Sequence, residues 1–269
     1  MLRASGAVTP WPPAMIVWGT GFQTAVHRHH CVQLLMVLRG SFLVRSGRQK
    51  GWMKCGAAWV RPDATHEMDA RHRTLLIAFI SAESDIGAEL SAAIDGDLAC
   101  VPAHQVTRWR AVLGTTPSQA RIERWVTEFL KPPKRSVSIH PGVRRVLNHL
   151  QKPQILVDDL SLKTLAGIAC LSPSRFMHAF TESVGIPVRP YILWLRLQRA
   201  ACDLRNGLSI TTAAHRAGFS DAAHLTRTFR RMLGATPSDL ALLKRLSLGF
   251  SFESNQRPEP VVRPVNGAA

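Results

Sequence analysis

The chain has 269 residues, 46% of them hydrophobic, with a formal net charge of +16 and a sequence pI near 11.0. At about 150 residues per domain this length suggests two domains, and the positive excess favours polyanions: DNA, RNA or an anionic membrane surface. No run of about 20 apolar residues occurs, which excludes a membrane-spanning helix, and the N-terminus has no signal-peptide pattern. The five cysteines are scattered and never spaced as CxxC, so they read as reduced thiols. A cytoplasmic protein with no membrane partner is the expectation.

In chain order, residues from about Met15 to Ile80 read as short strands broken by turns. Val32–Leu38 ends at Arg39-Gly40, Ser41–Val44 ends at Ser46-Gly47, and Ala57–Val60 and Thr74–Ile80 follow. Such spacing predicts a small all-β sandwich or barrel. From Glu83 the period changes: Ile86, Leu90 and Ile94 predict one helix face, and Pro117–Leu130 a second helix with Ile122, Trp125 and Val126 in its stripe. Lys131-Pro132-Pro133-Lys134-Arg135 breaks helices and marks the expected boundary. The chain is therefore expected to divide into a strand-rich domain over 1–135, an all-helical domain over 136–248 and a disordered tail over 249–269. Both halves are basic, so charge does not single out the second.

The second half contains an internal repeat. Ser161-Leu162-x-x-Leu165-Ala166-x-x-Ala169-x-Leu171-Ser172 returns 48 residues later as Ser209-Ile210-x-x-Ala213-Ala214-x-x-Ala217-x-Phe219-Ser220. One residue is then inserted, and the copies continue as Phe176, Phe180, Gly185 and Leu225, Phe229, Gly234. Ser161 and Ser209 suit N-caps. Ala169 and Ala217 permit a tight turn, which Gly218 assists by accepting positive φ. Ser172-Pro173 and Ser220-Asp221 start the next helices, and Gly185 and Gly234 end them. Helix, tight turn, helix is the arrangement that lays a second helix in a major groove. Between the copies, Val188–Arg205 predicts one helix with Leu193, Leu197, Ala200, Ala201 and Leu204 on its apolar face, able to hold two recognition helices about 34 Å apart.

These residues resemble the AraC/XylS family of bacterial transcription regulators. Ala217-Gly218-Phe219-Ser220-Asp221-x-x-His224-Leu225-Thr226-Arg227-x-Phe229-Arg230-Arg231-x-x-Gly234-x-Thr236-Pro237-Ser238 is close to that family's signature. The resemblance implies double-stranded operator or promoter DNA as partner, and an activator that meets RNA polymerase as a homodimer. It places Ser174, Arg175, Met177 and His178 on the groove side of the first recognition helix. In the second it places Ala222, Ala223, His224, Thr226 and Arg227. Arg227 is the strongest candidate for reading guanine, while Arg230 and Arg231 suit phosphates. The first unit departs from the pattern, since His178 stands where many members carry arginine.

In the first half, Gly21-x5-His27-x-His29-x3-Gln33-x6-Gly40 and Gly56-x5-Pro62-x-Ala64-Thr65-His66 resemble the two cupin motifs, with Gln33 in the usual glutamate position. The fold expected is α+β: a cupin-like β-barrel with accessory helices, then two helix-turn-helix units joined by a linker helix. His27, His29, Gln33 and His66 are candidate ligands of a divalent metal in the barrel, of a small organic effector, or simply of a structural pocket. His30 is expected to point outward with no role. A ligand-responsive regulator that is not an enzyme is the leading reading. A cupin metalloenzyme (dioxygenase-like) with a DNA-binding appendage and a charge-driven, non-specific binder are the alternatives.

Overall fold

A computed structural model describes residues 10–11, 14–47, 51–129, 138–150 and 159–237. The expected boundary at 131–135, Leu130 and the tail over 249–269 lie outside the described residues. Nine strands precede the C-terminal helices: β1 (Pro10–Trp11), β2 (Ala14–Thr20), β3 (Cys31–Val37), β4 (Phe42–Ser46), β5 (Met53–Cys55), β6 (Ala57–Val60), β7 (His66–Asp69), β8 (Thr74–Ser81) and β9 (Leu98–Cys100). They form a six-stranded antiparallel sheet in the order β1-β2-β8-β3-β6-β9 and a three-stranded sheet in the order β5-β4-β7.

Strand β3 is buried along its whole length, because both faces of the large sheet are covered. Leu35, Val37, Leu75, Ile77 and Phe79 face one core, while Val32, Leu34, Met36, Leu76, Ala78 and Ile80 face another. A strand packed on two sides reads as a continuous apolar run, which is the pattern of Val32–Leu38 and Thr74–Ile80. By contrast, β4 is covered on one side and alternates, with Phe42 and Val44 inward and Leu43 exposed.

Three helices, α1 (Asp85–Ala93), α2 (Ala103–Leu113) and α3 (Gln119–Phe129), close the second face. Ser84 caps α1 by accepting from the Gly87 amide. Trp125, on the expected stripe, is fully buried against Trp109, since the stripe of α3 is consumed by the core under the sheet.

The expected closed barrel is not formed by the described strands. The two sheets stay separate ladders, and single bridges at Gln23–Asp69 and His27–His66 tie β7 to the 21–30 stretch between β2 and β3. Residues 21–30 run as bends instead of a strand, with the His27 ring turned to its own backbone, Nδ1 lying 2.8 Å from the Ala25 carbonyl. His27 and His29 therefore precede the strand that carries Cys31 and Gln33.

Six helices follow: α4 (Pro141–Leu150), α5 (Leu162–Ala169), α6 (Pro173–Val184), α7 (Val188–Arg205), α8 (Ile210–Arg216) and α9 (Ala222–Leu233). α4, α5, α6 and the first part of α7 (Val188, Tyr191, Ile192) share one core. The second part of α7 (Trp194, Leu197, Ala200, Ala201, Leu204) packs with α8 and α9 in a core continuous with the inner face of the sheets. Asp203, buried on α7, ties this unit by pairing with Arg199 at 3.4 Å and Arg216 at 3.1 Å. All five cysteines are free thiols, and no helix among the described residues is long and apolar enough to cross a membrane.

Candidate nucleic-acid interface and effector site

The repeat folds as two matching helix-turn-helix units, and their capping chemistry explains why. Ser161 and Ser209 accept from the amides of Thr164 and Thr212. Ser172 caps α6 with Pro173 at its first turn, and Asp221 caps α9 through the His224 amide at 2.7 Å. The inserted residue falls in the second turn, so Asp221 and not Ser220 is the cap. Gly218, Gly185 and Gly234 take positive φ. Phe176 and Phe180 bury α6, and Leu225 and Phe229 bury α9.

The outward faces carry the expected residues. Ser174, Arg175, Met177 and His178 are exposed on α6; Ala223, Arg227, Arg230 and Arg231 are exposed on α9, with Ala222, His224 and Thr226 half-buried. Met177 is a large apolar side chain left 45% exposed, the kind of group that meets a thymine methyl. Thr226 donates its hydroxyl to the Ala222 carbonyl at 2.8 Å. His224 is held between the Phe219 ring and Ser220 Oγ. Those two are therefore partly committed inside the unit, whereas the Arg227 side chain is exposed.

The sheet domain brings His27, His29 and His66 together. Their ligand atoms lie within 4.8 Å of one another and all three residues are buried. His27 and His66 turn Nδ1 to the carbonyls of Ala25 and Ala64 at 2.8 and 2.9 Å. A carbonyl accepts only, so each Nδ1 carries the proton and each Nε2 presents a lone pair. The Nε2 atoms of His29 and His66 and Oε1 of Gln33 are buried without a hydrogen-bond partner. Burial, with His66 beside it, pushes His27 down to about 3. Burial also lowers His66 to about 4, and burial with two neighbouring imidazoles holds His29 well below its usual value. His29 Nδ1 lies 3.0 Å from Cys31 Sγ, and clustered neutral imidazoles offer nitrogen donors of the kind a transition ion takes.

A largely apolar cavity opens beside this cluster. Its wall includes His27, Gln33 and His66, the sheet residues Ile77 and Phe79, and Trp194 and Leu197 of α7. The ring of Trp194 lies 6.0 Å from His29 and 5.8 Å from Phe79, centroid to centroid. The cavity thus lies between the sheets and the helical half.

Several contacts escaped the sequence pattern. His30, expected to be idle, bridges Asp63 Oδ2 at 2.7 Å and the Val184 carbonyl at 3.0 Å. Tyr191 donates to Glu83 at 2.9 Å. Both join segments more than 100 residues apart in sequence, and no local period signals such pairs.

The family model described as "Helix-turn-helix domain" matches residues 165–241. The arabinose operon regulatory protein of Salmonella typhimurium is 29% identical over 115 residues, 42% of this chain and 39% of its own length. The transcriptional regulator RipA of Corynebacterium glutamicum is 36% identical over 89 residues, 32% of this chain and 27% of its own. The chain thus covers about two-fifths or less of these relatives. In fold, a structure of ToxT from Vibrio cholerae superposes over 86% of this chain and 97% of that one, with TM-score 0.53 at 10% identity. That likeness extends through the sheet domain as well as the helices, and at such identity it concerns the fold alone. Over residues 165–241 the chain thus carries a helix-turn-helix domain similar to that of the arabinose operon regulatory protein.

Proposed function

We propose that this chain is a sequence-specific DNA-binding transcription regulator controlled by a small effector bound in the sheet domain. The observation that carries the reading is the pair of capped helix-turn-helix units with their polar and basic faces outward, set on one linker helix. Arg227 reads a guanine edge, Met177 a thymine methyl, and Arg230 and Arg231 hold phosphates. The proposed division into a sensing domain over 1–135 and a DNA-binding domain over 136–248 accompanies this reading, with a homodimer and an RNA polymerase contact as the resemblance implies.

An organic effector suits the apolar cavity between the sheets and α7. One ToxT structure is of the form bound to an unsaturated fatty acid, which supports an apolar ligand class here. The cupin reading rests on the spacing of His27, His29, Gln33 and His66, and a cupin-like jelly roll opened at one side accommodates two separate sheets. The relatives found are transcription regulators, and no observation favours the enzyme alternative.

Binding to the promoter regions of its own and neighbouring genes, against random duplex at matched physiological salt, tests the proposal. A preference of about a thousandfold, reduced by about 1–3 kcal/mol in Arg227→Ala, is the expected outcome. Equal binding to both duplexes, unmoved by the substitution, would leave only a charge-driven binder.

A further inference from the structure

The polar groups in the wall of the apolar cavity restrict what it can hold. The wall draws on both sheets, on α7 and on the end of α9, and Trp18, Phe22, Phe79 and Trp194 are its aromatic members. The chain carries 34 Lys and Arg and 18 Asp and Glu, yet none of them lines the cavity among the described residues. Its wall does include His27 and His66, which are 5% and 1% exposed. Each of these rings commits its Nδ1 proton to a backbone carbonyl, of Ala25 at 2.8 Å and of Ala64 at 2.9 Å. A neutral imidazole has a single N–H, so each Nε2 is left as an acceptor only. The two rings lie 4.2 Å apart, centroid to centroid, and His66 Nε2 has no hydrogen-bond partner.

We propose that the effector is a neutral, hydroxyl-bearing aromatic molecule of the alkylphenol class, whose O–H donates to the His27–His66 pair while its ring and alkyl body lie against the apolar wall. This deepens the effector reading above, on which it rests, by naming the chemistry of the ligand.

The competing headgroups fail on charge or on hydrogen bonding. A carboxylate brings a negative charge into a wall with no cation to meet it, and an unpaired buried charge is heavily penalised. It also sets its own lone pairs against those of the two imidazoles. An ammonium supplies donors, but its charge meets no carboxylate in the wall. A hydrocarbon or an ether leaves His66 Nε2 unpaired, which forfeits the hydrogen bond. A hydroxyl supplies the missing proton without a charge, and a phenol is the stronger donor of the hydroxyl compounds while remaining neutral at physiological pH. The aromatic body suits the rings of Trp18, Phe22, Phe79 and Trp194, through offset or edge-on contacts. Gln33 and Gln198 add amides that donate or accept, for a second polar substituent. Trp194 stands on α7, so a ring packed there touches the helix that joins the two helix-turn-helix units.

The full chain is titrated with para-propylphenol, para-propylanisole and para-propylbenzoate, three probes that share a body and differ in headgroup. The tryptophan fluorescence of the chain, with Trp18 and Trp194 in the wall, reports binding. The phenol should bind about tenfold tighter than the ether and than the benzoate, the value of one hydrogen bond. In His66→Phe and in His27→Phe, each checked for fold by circular dichroism, the phenol should lose that advantage while the ether keeps its affinity. A benzoate that binds as tightly as the phenol overturns the proposal, as does an ether that matches the phenol in the wild-type chain. So does an advantage of the phenol that survives both substitutions, or the failure of all three probes to bind. If a variant fails to fold, the ranking of the three probes on the wild-type chain still decides. Promoter preference is measured separately without probe: its loss strikes the regulator reading and leaves the ranking of ligands where it stands.

Discussion

At the residue scale, two glycines in the same role have different surroundings. Gly185 and Gly234 both end recognition helices at positive φ, 86° and 65°. A Cβ on Gly185 would meet only the His30 ring, at 3.4 Å or more. On Gly234 it would run into the Ala25 carbonyl, His27 Nδ1 at 2.6 Å and Thr24 Cβ at 2.9 Å. Gly185→Ala should therefore cost only the left-handed backbone penalty, about 1–2 kcal/mol. Gly234→Ala should cost clearly more, because the backbone of the sheet domain has to move as well. Urea unfolding of both variants measures the difference, and equal losses would mean that the cap of α9 does not dock on the sheet domain. Only half of this contrast is visible in the sequence. The repeat marks both glycines as helix stops, but that one of them lies against residues 24–27 depends on contacts more than 200 residues away in sequence.

At the element scale, the two turns of the repeat solve one problem with different residues. The chain passes through the left-handed region at Cys170 (φ 53°) in the first unit and at Gly218 (φ 76°) in the second. A non-glycine residue there carries strain of about 1–2 kcal/mol. Cys170 is exposed, so little packing is lost on removing its side chain. Cys170→Gly should raise the stability of the first unit by about 1 kcal/mol after the entropy of a freer unfolded chain is counted. A thermal melt of the variant checks this, and a lower midpoint would show that the thiol makes a contact worth more than the strain. Helices α5, α6, α8 and α9 were legible because capping residues, small turn residues and paired aromatics recur in register, and α7 from its apolar face. The sheet domain was less so. Strands β3, β4, β6 and β8 are named by short apolar runs between turns, but a continuous run says only that both faces are covered, not by what. α2, with Val106, Trp109 and Leu113 as its buried positions, shows too sparse a stripe to stand out. The histidines were singled out by the resemblance to the cupin motifs, and the backbone that carries His27 and His29 is bent.

At the scale of the whole molecule, the cores do not follow the repeat. The first helix-turn-helix unit has a core to itself, while the second shares one with the inner face of both sheets. The two units, alike in sequence, should thus differ in how they open. Phe176→Ala should lower the hydrogen-exchange protection of α4–α6 by about 3–5 kcal/mol and leave that of β3 and β8 unchanged. Phe229→Ala should lower protection in α8, α9 and the inner strands together. Exchange measured amide by amide distinguishes the cases, and identical patterns in the two variants would mean one cooperative body throughout.

The linker helix α7 belongs to both cores, Tyr191 and Ile192 to one and Trp194 and Leu197 to the other. It is unbroken over 18 residues, about 27 Å at 1.5 Å per residue, so a tilt of about 5° at one end displaces the other by about 2 Å. Such a rod is a lever that borders the apolar cavity through Trp194 and Leu197. A displacement too small to alter any contact around Trp194 is magnified at the far end to a large fraction of one base-pair step. Whatever fills the space beside Trp194 thereby sets how far apart along the duplex the protein can read.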